Sequence, residues 1–147
     1  MKKKNPTPAL EFFSPAEAKK LELPLYVHHV AAGFPSPAED YLEKKLDLNE
    51  YLISNPSSTF FVKVNGHSMV NAGILDGDIL IVDRSKEASD KRIVIAVLNG
   101  EFTVKRIRKK SGKLLLLPEN EQYPPIEVTP EMDFRIWGVV TYAIHKV

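Results

Sequence analysis

A chain of 147 residues, 44% of them hydrophobic, has enough apolar side chains to bury one core and is about the length of one globular domain. With 20 Lys and Arg against 19 Asp and Glu, the formal net charge is +1, so no global field draws the protein onto nucleic acid and any link to DNA is expected to be indirect. Cysteine is absent, which excludes a disulfide framework, a thiolate nucleophile and any Cys-based zinc or iron–sulfur site, and fits a reducing cytoplasm.

The first residues, Met1-Lys-Lys-Lys-Asn-Pro6, have the charge of a signal-peptide start, but no apolar core segment follows and Pro6 and Pro8 interrupt it. No run approaches the ~18 apolar residues of a membrane span. The protein is therefore expected to be cytoplasmic and not integral to a membrane. Residues 1–24 carry Pro6, Pro8, Pro15 and Pro24, leaving room only for a helical turn or two over Ser14–Leu21, with Ser14 as N-cap and Pro15 at N1. This reads as an arm, too short for a helix-turn-helix unit, so direct sequence-specific DNA binding is not expected.

Leu25–Ala31 is rich in β-formers and is predicted to be extended. Ala32-Gly33-Phe34-Pro35-Ser36-Pro37 then breaks regular structure and forms a natural exposed loop. From Glu39 to Leu52 the apolar positions are partly helical in spacing, which predicts one or two short helical segments. Beyond Pro56 the chain becomes a series of short β-rich runs: Thr59–Val64, Ile79–Val82, Ile93–Leu98, Phe102–Ile107, Leu114–Leu117 and Ile136–Ile144. Their spacing leaves no room for crossover helices. Asn99-Gly100 between two apolar runs is the strongest hairpin signal, and Asp76-Gly77 is a second turn. The expected architecture is mainly β, a curled, mostly antiparallel domain with a flexible N-terminal arm and one or two short helices.

Val64-Asn-Gly66-His-Ser68-Met69 places a serine just past a strand, after a glycine that lets the chain turn sharply. A serine hydroxyl is a weak nucleophile at neutral pH and needs a base, usually His or an uncharged Lys. Lys105 lies in Phe102-Thr-Val-Lys-Arg-Ile107, where alternation puts Thr103, Lys105 and Ile107 on one face and Val104, Arg106 and Arg108 on the other. Lys105 can thus point inward while its neighbours stay solvated. Burial, with like-charge repulsion from the two arginines, would lower its pKa toward that of a base, a role arginine cannot fill. The plainer reading is that most serines after a glycine cap a turn and most strand lysines reach solvent. Residue spacing alone leaves both open.

Gly66-His-Ser68-Met69, then Gly73-Ile-Leu-Asp-Gly-Asp-Ile-Leu-Ile-Val-Asp83, then Asn99-Gly-Glu-Phe-Thr-Val-Lys105-Arg, resemble the core of the LexA/UmuD family of self-cleaving serine–lysine peptidases, in order and separation. Ala31-Ala-Gly-Phe-Pro-Ser-Pro-Ala-Glu-Asp-Tyr41 is similar to the region around the self-cleavage site of the UmuD branch, and Pro118-Glu-Asn, Tyr123 and Pro125-Ile126 continue the likeness. The resemblance implies Ser68 as nucleophile, Lys105 as base, the backbone N–H groups of Ser68 and Met69 as oxyanion hole, and Ala32–Gly33 as the bond cut. It divides the chain into an arm, 1–32, removed by cleavage, and a peptidase β domain, 33–147. It also implies a homodimer, stimulation by a RecA filament on single-stranded DNA, and a truncated product that joins a UmuC-type polymerase for translesion synthesis in the SOS response. The short arm favours the UmuD branch over a repressor. His67 departs from the acidic residue more usual before the serine.

No cofactor or metal is expected: His28 and His29 face opposite sides of a strand, His67 and His145 have no ligand spacing, and turn chemistry explains Asp76 and Asp78. The basic run Arg106, Arg108, Lys109 and Lys110 fits a solvated hairpin end. Two alternatives have different chemistry: a signal-peptidase-like hydrolase of other proteins, and a non-catalytic β interaction module in which Ser68 and Lys105 are incidental.

Overall fold

A computed structural model of the chain describes residues 10–15, 19–26 and 42–147. The chain divides into two compact units, one containing the chain up to Pro15 together with Asn55–Val147, the other Ala16–Ser54.

The larger unit is one curled eight-stranded sheet in which every pairing is antiparallel. Its strands are β1 (Leu10–Phe13), β4 (Thr59–Val64), β5 (Ile79–Asp83), β6 (Ile93–Leu98), β7 (Glu101–Lys110), β8 (Lys113–Leu117), β9 (Ile126–Glu127) and β10 (Phe134–Ile144). Their spatial order is β1-β4-β5-β10-β6-β7-β8-β9. The runs read from the sequence beyond Pro56 are all strands here, β7 extending further at both ends. Asn99 and Gly100 both take positive φ, 50° and 82°, which is the backbone a two-residue turn between twisted strands requires.

β10 holds the sheet together. Its first half pairs with β6 and its second half with β5, and Val139 faces Val94 on one side and Asp83 on the other. Register shifts between Ile136 and Gly138 and between Val140 and Tyr142 bend it to serve both neighbours. Gly138 sits where the curled strands press closest, since a Cβ there would meet Val82 Cγ1 at 2.6 Å.

Alternation along these strands creates two apolar clusters. Leu10, Val62, Val64, Met69, Ile74, Leu80, Val82, Ile95 and Val104 form one; Val94, Ala96, Ile107, Leu116 and Val139 form the other. Each fully buried aliphatic side chain contributes roughly 1.5–3 kcal/mol relative to exposure. Trp137 extends the first cluster, with Phe12 and Phe60 set edge-on at 4.8 and 5.3 Å and the Arg84 guanidinium 4.6 Å above its ring.

β1 was not anticipated. Leu10–Phe13 lies in the segment read as an arm, yet it pairs with β4 from Leu10↔Val64 to Phe13↔Phe61, and Leu10 is buried in the first cluster. Its alternation is only four residues long, and what makes it a strand is the free edge of β4.

In the smaller unit β2 (Leu23–Tyr26) pairs antiparallel with β3 (Leu42–Leu46), and α1 (Leu48–Leu52) follows. Of the one or two short helical segments expected within Glu39–Leu52, α1 is one; Leu42–Leu46 is a strand, and residues 39–41 lie outside the described residues. Asp47 decides the boundary. Its extended backbone and carboxylate cap the helix, accepting the Asn49 and Glu50 N–H groups at 2.9 and 3.2 Å, while the second oxygen accepts Leu21 N–H at 2.7 Å. Ser14, Pro15 and residues 19–22 adopt no helix, and 16–18 of that expected turn lie outside the described residues. The extended run foreseen at Leu25–Ala31 begins two residues earlier, and its part beyond Tyr26 is also outside them. No helix among the described residues is long and apolar enough to cross a membrane.

Candidate active site

β4 ends at Val64, and the chain must turn at once to reach β5. Gly66 makes this possible with φ of +120°, a conformation that L side chains rarely adopt. Its N–H donates to Asp76 Oδ1 at 2.7 Å, while Val64 N–H donates to Asp78 O and Gly77 N–H to Val64 O at 2.9 and 2.7 Å. Asp76 and Asp78 are therefore turn residues, as their Asp-Gly chemistry predicts. Ser68 follows at the start of a tight turn leading into the 3-10 segment Val70–Ala72, which Gly73 terminates in the left-handed region at φ 77°.

The carbonyls of this turn are all engaged. Ala72 and Ile74 N–H groups donate to Met69 O, and the segment after β8 clamps the other side: Glu119 N–H donates to Ser68 O at 2.8 Å and Asn120 Nδ2 to His67 O at 2.8 Å. No backbone carbonyl among the described residues accepts from the Ser68 or Met69 N–H. The serine turn is thus held through its acceptors, and the Ser68 and Met69 N–H groups stay free of backbone partners among the described residues.

Lys105 arrives from β7, opposite Val94 of β6, and is only 8% exposed. Its Nζ lies 2.7 Å from Thr103 Oγ1, 3.0 Å from Val104 O and 3.4 Å from Ser68 Oγ. Burial alone pushes its pKa down from the ordinary 10.5. This corrects the sequence reading in two respects. Val104 is buried on the opposite face, so the strand is covered on both sides there. The arginines add no repulsion, because Arg106 turns to Glu119 and to Lys91 O and Arg108 to Asp90.

The chemistry of three contacts around one nitrogen depends on its charge. An ammonium donates to all three oxygens. An uncharged amine has two N–H bonds and one lone pair; with the N–H bonds spent on Thr103 Oγ1 and Val104 O, the lone pair faces the Ser68 hydroxyl, which then donates to it. Serine and lysine both line a cleft of about 210 Å³ whose walls also include Val64, Phe102, Thr103 and Tyr123.

Thr103 and the Val104 carbonyl were not singled out from the sequence as partners of Lys105. The signal existed for the first: period-2 alternation puts Thr103 on the lysine's face one step away. Nothing local marks Glu119 and Asn120 as clamps, because Glu119 acts through its backbone N–H and Asn120 through its side-chain amide on carbonyls 51 and 53 residues away. Ala32 and Gly33 lie outside the described residues, as do His28 and His29. His67 is exposed; of the basic run, Lys109 and Lys110 are exposed at the hairpin end, whereas Arg106 and Arg108 are half-buried and paired with Glu119 and Asp90.

Comparison with known proteins identifies the family. The Peptidase S24-like family model matches residues 24–141. Protein MucA of Salmonella typhimurium is 41% identical over 134 residues, covering 90% of this chain and 91% of MucA. Protein SamA of Salmonella typhimurium is 48% identical over 123 residues, 84% of this chain and 85% of SamA, and protein ImpA of Escherichia coli is 45% identical over 129 residues, 84% and 83%. These matches bear out the resemblance to the LexA/UmuD group. A serine and a buried lysine meeting in a cleft, on a curled antiparallel sheet matched nearly end to end, place this chain in the S24-like serine peptidase family.

Proposed function

We propose that the protein is an SOS-response autoprotease that cuts its own Ala32–Gly33 bond, with Ser68 as nucleophile and Lys105 as general base. The observation that carries this reading is the 3.4 Å approach of Ser68 Oγ to a lysine amine that is buried and held by two other oxygens. The chemistry balances without a metal or cofactor. Ser68 Oγ bonds to the Ala32 carbonyl carbon as its proton passes to Lys105 Nζ, and the resulting oxyanion takes the Ser68 and Met69 N–H groups. Lys105 returns the proton to the Gly33 nitrogen as the C–N bond breaks, leaving an ester on Ser68. Water attacks the ester, Lys105 takes its proton and passes it back to Ser68, and Ala32 leaves as a carboxylate. Ala32 is small enough for a narrow cleft, and Gly33 lets the backbone come close.

The product, residues 33–147, then acts in a homodimer as accessory subunit of a UmuC-type translesion polymerase, and a RecA filament on single-stranded DNA stimulates the cut. Support for this part is the close similarity to MucA, SamA and ImpA over most of each chain.

Purified protein incubated at alkaline pH should yield two fragments whose masses correspond to scission after Ala32. Ser68→Ala and Lys105→Ala should each reduce this to background while leaving the fold intact. Fragments that persist in either variant would refute the assignment.

A further inference from the structure

Asp78 is 2% exposed, yet its side chain takes no part in the proposed chemistry. One carboxylate oxygen accepts Leu75 N–H at 2.8 Å, closing the turn that carries Asp76-Gly77. The other lies 2.7 Å from His145 Nδ1, contributed from just beyond the end of β10, 67 residues away. The backbone of Asp78 accepts Val64 N–H, and Asp76 in the same turn accepts Gly66 N–H. A continuous set of hydrogen bonds therefore leads from the C-terminal histidine through Asp78 and its turn to the glycine two residues before Ser68.

From this we infer that His145 is a positioning residue for the nucleophile: it fixes Asp78, whose turn fixes Gly66 and with it the approach of Ser68 to Lys105. A buried carboxylate oxygen without a partner is costly, so losing the imidazole drives Asp78 to rotate or admit water, and the Leu75–Asp78 turn loosens with it. The effect reaches Ser68 through backbone hydrogen bonds and needs no contact between His145 and substrate. A misplacement of the nucleophile by a fraction of an ångström is enough to slow the chemistry.

The inference rests on the self-cleavage reading, so its test has one arm that does not depend on cleavage. Amide hydrogen exchange at Gly66 and Leu75 is followed by NMR in the full chain, alongside fragment formation at alkaline pH and thermal midpoint. His145→Ala should speed exchange at both amides and slow fragment formation, each by about tenfold. His145→Asn keeps an N–H donor near Nδ1 and should restore both to near the parent values; it also serves if the alanine variant folds poorly. Val139→Ala, a cavity in the second cluster, is the control for stability alone and should lower the midpoint without accelerating Gly66 relative to the rest of the sheet. Equal exchange at Gly66 in His145→Ala and the parent overturns the inference, as does slowed cleavage that merely tracks the midpoint across all three variants. A parent chain that does not cleave sinks the functional reading instead, while accelerated Gly66 exchange in His145→Ala still supports the structural link.

Discussion

Lys105 shows how a strand residue is made a candidate base. Burial disfavours its charged form, and among the described residues the surroundings supply two acceptors to hold an amine but no carboxylate to hold an ammonium. Because its folded-state pKa is lowered, the active uncharged form accumulates at a lower pH than for a free lysine. The cleavage rate should therefore rise with pH and level off before the ordinary 10.5; a rate still climbing tenfold per pH unit through 10.5 would show that the amine is not desolvated in the working enzyme. The same shift has a sign for stability. Between the folded pKa and 10.5 the unfolded chain binds the extra proton, so this lysine destabilises the native state below that window and the penalty fades as pH rises through it. Thr103 is the partner that aims the amine. Thr103→Val, which keeps the shape but removes Oγ1, should lower the cleavage rate about tenfold, whereas Thr103→Ser should retain it. Equal rates for both variants would mean that Val104 O suffices.

Among the elements, β1 and β10 show what a strand's neighbours decide. β1 is short, but Leu10 is 8% exposed and sits in the first cluster with Val64 and Met69, and the Phe12 ring packs tilted against Phe102 and edge-on to Trp137, with centroids at 4.7 and 4.8 Å. Leu10→Ala should cost about 2–3 kcal/mol in urea unfolding; a cost below about 0.5 kcal/mol would mean that the strand is not docked in solution. In β10, Gly138→Ala forces a methyl into Val82 and should cost about 1–3 kcal/mol, a substitution that looks harmless in the sequence. Alternation and turn residues predict six of these strands, because a half-buried antiparallel strand announces its two faces over five or more residues. They miss β1 and β9, of four and two residues, whose pairing is chosen by a free sheet edge. They also leave Leu42–Leu46 unmarked as a strand beside the short helix expected within Glu39–Leu52, which Asp47 starts only after the strand has ended.

Across the whole molecule, the larger unit depends on side chains that tie distant parts of the chain to the sheet. Asp83, at the end of β5 and 3% exposed, is the clearest. Burial by itself would raise its pKa, but hydrogen bonds from the Asn55 amide, the Ser85 and Ser58 hydroxyls and the Ser85 N–H outweigh it and hold the carboxyl at about 2. The contribution is present above the ordinary 3.8 and lost as pH falls through the folded value, on the order of 2 kcal/mol. Urea unfolding from pH 5 down to pH 2 should show that loss, and Asp83→Asn should lack this component of the slope. Six of the eight strands of the large sheet, the Asn99-Gly100 hairpin, the Gly66 turn before Ser68 and the face on which Lys105 stands are legible in the chain alone. All of these are local, set by backbone conformation and by a period of two. Only the tertiary structure decided that Ser68 and Lys105 meet, that burial and not neighbouring charge tunes the lysine, and that Glu119, Asn120 and the Asp78–His145 pair hold the turn. Each of those depends on chain segments 37 to 67 residues apart that the curl of the sheet brings together, a distance over which side-chain patterning carries no information.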